Sequence, residues 1–545
     1  MRPANLIGAM LLLGVSCGAP PPGFAGKWVG GVHSGGAFAP VRVSRASDTS
    51  AAVDVELAGF SFLGFGATEA TARQDGDSVR LTLRDWRGET HELAGRLRRD
   101  RLEGSYQSYR GLGRFVLRRL QDTGDSGTAP TQVPTGLYRG ATTRRVSVRS
   151  MGPSDLILAD LRDGTRRRAV REGPGSFVHG YTYDDWTEDG GSIQILPATG
   201  SAPPRMIWTH WGRGGGRDTD TLVRIPVAER TLTFRRAGAT LEGTLLLPPG
   251  PGPFPAVVFV HGSGAADRET NRENAHLVLS QGIAAFIFDK RGVGRSGGSL
   301  DEATLEVLGA DGAAAARLVA SQPDVLAACV GVYGTSQGGW VAPLVAGQAP
   351  QVSFVITVSG PGVASDEQEL FRRTLNLRGD GYIPGPAVAD SEVARAVGVL
   401  QAFFGWVRTG EGGDSVASLI REVRRQSWFP GTELPDSLDP QSPPAFVRGF
   451  RSGMEFDVER AWGSVRVPSL QFFGALDPFV PAERSFDVFS RMTRDGAELH
   501  LLPTGDHWMY QRDTGSPRLP SPGYVPAYLA TMRDWLERLT LQRCQ

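Results

Sequence analysis

This chain of 545 residues has few cysteines, few lysines and no net charge. It has 3 cysteines, and its 58 basic residues are balanced by 58 acidic ones, so the formal net charge is zero. A neutral chain has no overall field with which to attract nucleic acid or an anionic membrane. The basic residues are nearly all arginine, with only Lys27 and Lys290 as lysines. Because they are scattered among acids, we expect them on a solvated surface rather than in a phosphate site.

The few cysteines also limit disulfide and metal chemistry. Cys329 falls in an apolar stretch and Cys544 at the end of the chain, so a disulfide framework is not expected. No cluster of cysteine and histidine has the spacing of metal ligands, and no metal site is predicted.

The N-terminal residues have the pattern of an export signal. Arg2 precedes a short apolar run that ends in small residues and three prolines. Such a run is too short for a permanent membrane helix and is typical of a cleaved signal, here residues 1–22. Cys17 stands where a bacterial lipoprotein carries its lipidated cysteine, although Gly14 is off that pattern. We expect an exported protein. The sequence leaves open whether it carries a lipid anchor on Cys17 or is secreted in soluble form.

The next two regions are predicted to be all β. Residues 24–120 contain short stretches in which apolar and polar residues alternate, separated by turn signals, and predict a barrel-like or sandwich-like domain. A Gly/Pro/Thr-rich linker follows at 121–133, and a second β region is expected at 134–224. Neither region has a convergent set of titratable residues, so their role is not predicted.

From residue 225 to 545 the pattern changes to strands that alternate with helices, which predicts an α/β domain with a mostly parallel sheet. Its strands are almost wholly apolar, as in sheets covered on both faces. They are expected at 255–262, 284–292, 328–336, 352–360, 468–477 and 498–507. Residues 364–460 interrupt this alternation with aromatic-rich helical patterns, which predict a cap over the mouth of a site.

The pattern Gly-x-Ser-x-Gly, which can mark a nucleophilic serine, occurs three times. Ser16 lies inside the export signal, and Ser296 lies in a Gly-rich loop with no helix directly behind it. Ser336 ends an apolar strand and is followed at once by a helix-capable run, as a nucleophile elbow requires. The alternative for Ser336 is an ordinary Gly-rich turn between a strand and a helix.

A serine nucleophile needs a base and an acid that orients the base. Asp477 and His507 follow Ser336 in the expected chain order, Asp477 at the end of a predicted strand and His507 following the final one. Asp506 is the rival acid, and His500, within an alternating strand, is the rival base.

The stretch "VVFVHGSGAADRE" predicts the oxyanion-binding loop. Gly262 and Gly264 would let its backbone approach a substrate carbonyl. The N–H of Ser263, or that of Gly264, would pair with the N–H of Gln337 to form an oxyanion hole. His261 is interpreted as a structural histidine that braces the loop.

Taken together, "HGSGAADRE", "FDKRGVGRSGG", "GVYGTSQGG", "GALDPFVP" and "GDHW" resemble the α/β-hydrolase superfamily. Within that superfamily, the chain most resembles two groups. One is the exported bacterial esterases, and the other is the hydrolases that are similar to serine aminopeptidases and related to prolyl oligopeptidases. The resemblance covers residues 225–541 and implies a Ser–Asp–His hydrolase that needs no metal or organic cofactor. It also implies a structural role for Arg291 and Ser296. The N-terminal β region resembles accessory domains of exported relatives.

The leading hypothesis is a serine hydrolase that cleaves carboxylic esters, with a small ester or a short peptide as its partner. A peptidase on the same triad is the first alternative, and it would need acids such as Asp366, Glu367 or Glu369 to hold the substrate's amine. A second alternative is an envelope binding protein whose hydrolase domain is vestigial. The oligomeric state is not predicted.

Overall fold

The computed structural model describes residues 23–543 with internal gaps. These gaps are residues 35–36, 58–66, 86–89, 109–110, 121–134, 142, 151–154, 174, 181–188, 201, 212–216, 302, 382–386, 442–445, 493–494 and 513–522. The expected export signal with Ser16 and Cys17, the expected linker and Cys544 therefore lie outside the described residues.

The first unit is an antiparallel sheet of eight strands. They are β1 Gly26–Ser34, β2 Ala37–Arg45, β3 Asp54–Leu57, β4 Ala67–Asp75, β5 Ser78–Asp85, β6 Thr90–Arg98, β7 Arg101–Ser108 and β8 Gly111–Arg119, in the order β3-β2-β1-β8-β7-β6-β5-β4. The sheet curls until the segment before β3 meets β4, where Ala72 N–H donates to Ala51 O at 2.7 Å. Alternate side chains, including Trp28, Leu93 and Phe115, fill the interior.

The second unit is a closed antiparallel barrel of eight strands. They are β9 Gly136–Arg139, β10 Arg145–Ser150, β11 Asp155–Asp160, β12 Arg166–Gly173, β13 Ser176–Gly180, β14 Asp189–Leu196, β15 Arg205–Trp211 and β16 Arg217–Arg224, and β16 pairs with β9. Closure removes the free sheet edges that would otherwise invite pairing with another chain. Tyr138, Phe177 and Trp208 are buried among the core residues of this barrel.

The third unit is a mixed sheet of eight strands. They are β17 Ala228–Arg236, β18 Ala239–Leu247, β19 Phe254–Val260, β20 Ala284–Phe288, β21 Val325–Thr335, β22 Val352–Val358, β23 Ser469–Gly474 and β24 Ala497–Leu502. Their order is β17-β18-β20-β19-β21-β22-β23-β24, and all neighbours from β20 to β24 are parallel. The carboxyl ends of these parallel strands therefore meet at one edge of the sheet.

Helices cover both faces of this sheet, which explains the apolar strands. One face packs against α1 Arg272–Leu279 and α10 Pro526–Arg543. The other packs against α2 Leu305–Ala320, α3 Gly338–Gln348 and α9 Ala482–Arg491. A short 3-10 helix, Arg268–Asn271, precedes α1.

Helices also fill the long connection between β22 and β23. They are α4 Ser365–Arg378, α5 Asp390–Thr409, α6 Gly413–Val423, the 3-10 helix Phe429–Thr432, α7 Phe446–Glu455 and α8 Val458–Gly463. They have an apolar core of their own, with Leu400, Phe403, Ile420 and Trp428 buried in it.

The structure confirms the predicted fold class, an α/β-hydrolase domain preceded by all-β domains. Cys329 is disulfide-bonded, a single bond that the sequence did not predict. A count of three cysteines argued against a framework of several bridges and could not exclude a single bond. In the described part of the chain, no helix is both long and apolar enough to span a bilayer.

Candidate active site

Ser336 occupies a sharp turn between β21 and α3. Its φ is +56°, a left-handed conformation that costs a non-glycine residue about 1 kcal/mol or more. The turn is held from both sides, because Ser336 N–H donates to Val358 O at 2.9 Å and Ser336 O accepts from Gly339 N–H at 2.7 Å. A Cβ added at Gly334 would lie 2.2 Å from Gly338 O, so only glycine fits there. The strand–turn–helix context predicted for Ser336 is the one observed.

Asp477 and His507 are joined by a hydrogen bond. Asp477 follows β23 and His507 follows the adjacent parallel strand β24, and His507 Nδ1 lies 2.7 Å from Asp477 Oδ2. The other carboxylate oxygen accepts from the N–H groups of Phe479 and Val480 at 2.7 and 2.9 Å. With Nδ1 donating to the carboxylate, Nε2 is the ring nitrogen left to accept a proton.

The imidazole is fixed by aromatic neighbours as well. Its ring centre is 4.9 Å from that of Phe479 and 5.3 Å from that of Trp508. Ser336, Asp477 and His507 all follow strands whose carboxyl ends share one sheet edge. No hydrogen bond joins Ser336 to His507, both of which lie in the described part of the chain.

The rival acid and base have other partners. Asp506 accepts from Trp508 N–H, Tyr510 N–H and Arg512 Nε, each at 2.9 Å, so it orders the loop around His507. His500 lies on β24 with its ring 5.4 Å from that of Phe472. Neither side chain is placed to replace Asp477 or His507.

The loop after β19 lies beside the elbow. A Cβ on Gly262 would be 3.5 Å from Ser336 Cβ, so this backbone passes close to the serine. Ser263 is exposed, and within the described chain its N–H and that of Gln337 make no hydrogen bond. Both amides are therefore available to an external acceptor, as an oxyanion hole requires. His261 is buried, and burial lowers its pKa to about 3, which agrees with a structural role.

Lys290 is the residue of this site that the sequence argument missed. Its Nζ donates to Gly262 O at 2.9 Å, Gly264 O at 3.2 Å and Gln337 Oε1 at 2.9 Å. One signal could have pointed to it, since it is one of only two lysines in an arginine-rich chain.

The second Gly-x-Ser-x-Gly pattern forms a scaffold loop. Ser296 Oγ donates to Asp289 O at 2.7 Å and accepts from Glu242 N–H at 3.0 Å. Arg291 is paired with the buried Asp311. These contacts agree with the structural role that the resemblance implied for Arg291 and Ser296.

The loop that carries His507 contacts the barrel. Tyr524 N–H donates to Gly164 O at 2.8 Å, and the Arg166 guanidinium lies 4.2 Å from the centre of the Tyr510 ring. Glu273 on α1 accepts from Arg166 and from the Tyr524 hydroxyl. The second β unit is thus packed against the candidate site's supporting loop, a contact that the sequence did not predict.

The three cap acids considered for amine binding are all paired with arginines. Asp366 bonds to Arg408, Glu367 lies 3.4 Å from Arg484, and Glu369 binds Arg372 and Arg373. Burial opposes ionisation of Glu369, but the two arginines outweigh it and lower its pKa. Across the described residues, no group of three or more His, Cys, Asp or Glu side chains is arranged to hold a metal ion.

Comparison with known proteins places the third unit among hydrolases. Residues 252–513 match the model of the Hydrolase_4 family, described as serine aminopeptidase, S33. A bile acid-CoA:amino acid N-acyltransferase of Mus musculus is 24% identical over 194 residues, which are 36% of this chain and 43% of that protein. An uncharacterized protein of Mycobacterium tuberculosis is 30% identical over 169 residues, which are 30% of this chain and 59% of that protein. The chain therefore matches about half the length of these relatives.

Two of the solved structures to which this chain is similar are esterases. The Pyrococcus furiosus esterase has 15% identity and a TM-score of 0.36, over 57% of this chain and 91% of that one. Acetyl xylan esterase 1 from Thermoanaerobacterium has 16% identity and a TM-score of 0.34, over 64% of this chain and 89% of that one. From the family match and its own strand order, the third unit is an α/β-hydrolase domain.

Proposed function

We propose that this α/β hydrolase is a serine hydrolase that cleaves carboxylic esters through an acyl-enzyme. The observation that carries the proposal is the Asp477–His507 hydrogen bond at the sheet edge where the Ser336 turn also lies. A nucleophile, a base and an acid on adjoining loops are the parts that acyl transfer needs.

The proposed reaction has two halves. Ser336 Oγ attacks the acyl carbon while His507 Nε2 takes its proton, and Asp477 stabilises the imidazolium. The N–H groups of Ser263 and Gln337 bind the oxyanion. Collapse of this intermediate expels the alcohol, which receives the proton from His507. Water, deprotonated by His507, then attacks the acyl-enzyme, and the carboxylic acid leaves Ser336 free again.

The decisive experiment replaces Ser336 by alanine. S336A should lose hydrolysis of p-nitrophenyl acyl esters and labelling by a fluorophosphonate probe, while its melting temperature stays near that of the wild type. Ser415→Ala, at an exposed position on α6, is the matched control and should keep both. Ester hydrolysis that survives in S336A would refute the proposal. A wild-type protein that the probe does not label would favour the vestigial binding protein instead.

A peptidase on the same triad is the second candidate, and the description of the matching family favours it. The arginine partners of Asp366, Glu367 and Glu369 weigh against it, because a substrate amine would have to displace them. Turnover of aminoacyl-arylamides should therefore be slower than turnover of acyl esters. The reverse order would support the peptidase.

We also propose that the protein is exported, either anchored by a lipid on Cys17 or soluble. The disulfide at Cys329 supports an oxidising compartment. If the anchor exists, Cys17→Ala should move the protein from the detergent phase to the aqueous phase in a Triton X-114 partition. Aqueous partition of the wild type would favour soluble secretion.

A further inference from the structure

The buried ammonium group of Lys290 lies against the loop that carries Ser263. Ser263 is one of the two residues whose N–H groups are proposed to bind the oxyanion. Lys290, two residues after β20, is 3% exposed, and its Nζ contacts Gly262 O, Gly264 O and Gln337 Oε1. An ammonium has three donors, and here all three are used. The acceptors lie on the two separate segments that contribute Ser263 and Gln337. We propose that Lys290 is a positioning residue that holds the oxyanion hole in its working geometry, an inference that rests on the proposed function.

The peptide between Gly262 and Ser263 gives this contact a direct consequence. A trans peptide is planar, so its C=O and N–H point in opposite directions. Lys290 holds the Gly262 carbonyl on the inner side, and this turns the Ser263 N–H outward. A hydrogen bond from a cation also polarises the peptide, which makes that N–H a stronger donor.

The second donor is already rigid on its own segment. Gln337 precedes α3, and the carbonyl of its peptide, Ser336 O, accepts from Gly339 N–H. The bond from Lys290 to the Gln337 side chain ties this rigid segment to the loop around Ser263. The loop is exposed at Ser263 and Gly264, and this bond adds to the one from Lys290 N–H to Ala266 O in keeping the spacing of the two amides.

The charges near Lys290 are otherwise engaged. Asp289 is bound by Arg268, at 2.7 Å, and Arg291 is bound by Asp311. His261, directly after β19, stays neutral because burial lowers its pKa to about 3. Among the described residues no carboxylate forms an ion pair with Lys290, so its donors go to the three carbonyl oxygens. Burial lowers the pKa of Lys290 to about 8, so its proton is lost at moderately alkaline pH.

The first test compares K290M with the wild type, using p-nitrophenyl acetate. Loss of one oxyanion donor lowers kcat about 10²- to 10³-fold, and we expect this fall with KM changed less than about threefold. The control is K27M, which removes the only other lysine, exposed on β1 of the first unit, and should match the wild type. A folded K290M whose kcat stays within about threefold of the wild type would overturn the inference.

The second test does not depend on the folding of K290M. Wild-type kcat should fall above pH ~8 as Lys290 loses its proton, whereas K290R, which stays protonated, should show no such fall. A wild-type kcat that is flat to about pH 9.5 would overturn the inference. The S336A variant separates the two proposals. Hydrolysis that depends on Ser336 but not on Lys290 refutes only the positioning role of Lys290. Hydrolysis that does not depend on Ser336 refutes both that role and the proposed function.

Discussion

His507 Nδ1 lies 2.7 Å from Asp477 Oδ2, although the two residues are 30 positions apart in the chain. Two backbone N–H groups occupy Asp477 Oδ1, so the remaining oxygen is directed at the imidazole. This arrangement fixes both the orientation of the ring and the nitrogen that carries the proton. The consequences for catalysis and for stability can be tested separately.

Replacing Asp477 by asparagine should lower kcat for ester hydrolysis about 10⁴-fold. The amide can donate to Nδ1 and thereby favour the tautomer in which Nε2 is protonated and cannot act as a base. Asp487→Asn, an exposed acid on α9, is the control and should have no effect. A D477N variant with more than about a tenth of wild-type activity would contradict the assignment of Asp477.

Gly334→Ala should damage the Ser336 turn. The added Cβ would lie 2.2 Å from Gly338 O, and overpacking of this kind costs about 1–3 kcal/mol or more. We expect a lower melting temperature and slower fluorophosphonate labelling. Gly398→Ala, on an exposed position of α5 with no atom within 4 Å, is the matched control. That change should stabilise the protein by up to about 1 kcal/mol, because alanine favours helix.

Acid should destabilise the fold through three buried histidines. Burial lowers the pKa of His179 to about 4 and those of His261 and His276 to about 3. Each of these histidines binds a proton more weakly in the folded protein than in the unfolded chain. The stability that each neutral histidine contributes is therefore present above pH ~6.5 and is lost as the pH falls towards the pKa of the folded state. Between pH 7 and pH 5 each histidine should remove about 2 kcal/mol from the free energy of unfolding.

Urea unfolding at the two pH values measures this loss. His276→Gln removes one of the three groups, so its pH dependence should be about one third smaller than that of the wild type. Equal wild-type stability at pH 7 and pH 5 would show that the three histidines are not neutral and buried as described.

Glu273→Gln should loosen the contact between the barrel and the hydrolase domain. Burial opposes ionisation of Glu273, but Arg166 and Arg149 outweigh it and lower its pKa, so the carboxylate is charged. Removing that charge takes from the buried Arg166 the carboxylate that binds it through two hydrogen bonds, at a cost of about 3 kcal/mol or more. Glu229→Gln breaks the more exposed pair with Arg272 and should cost less than about 1 kcal/mol. Equal effects of the two changes on urea unfolding would contradict this view of the interface.

The sequence alone determined the fold class and the chain order of the candidate site residues. Apolar strands that alternate with helices specify a sheet covered on both faces, and this pattern is local, so it can be read along the chain. Ser336 directly follows β21, and Asp477 and His507 lie in the loops that follow β23 and β24, which made each of them a candidate. Parallel strands bring such positions to a common edge whatever the length of the connections between them.

Tertiary structure decided the contacts between residues that are far apart in the sequence. Asp477, not Asp506, bonds to His507, since Asp506 is held by its own loop and by Arg512. Arginines neutralise the cap acids, and the barrel packs against the loop of His507. Lys290 reaches Gln337 across 47 positions of sequence, and no local pattern records that contact. Composition tells which side chains exist, whereas packing decides which of them meet.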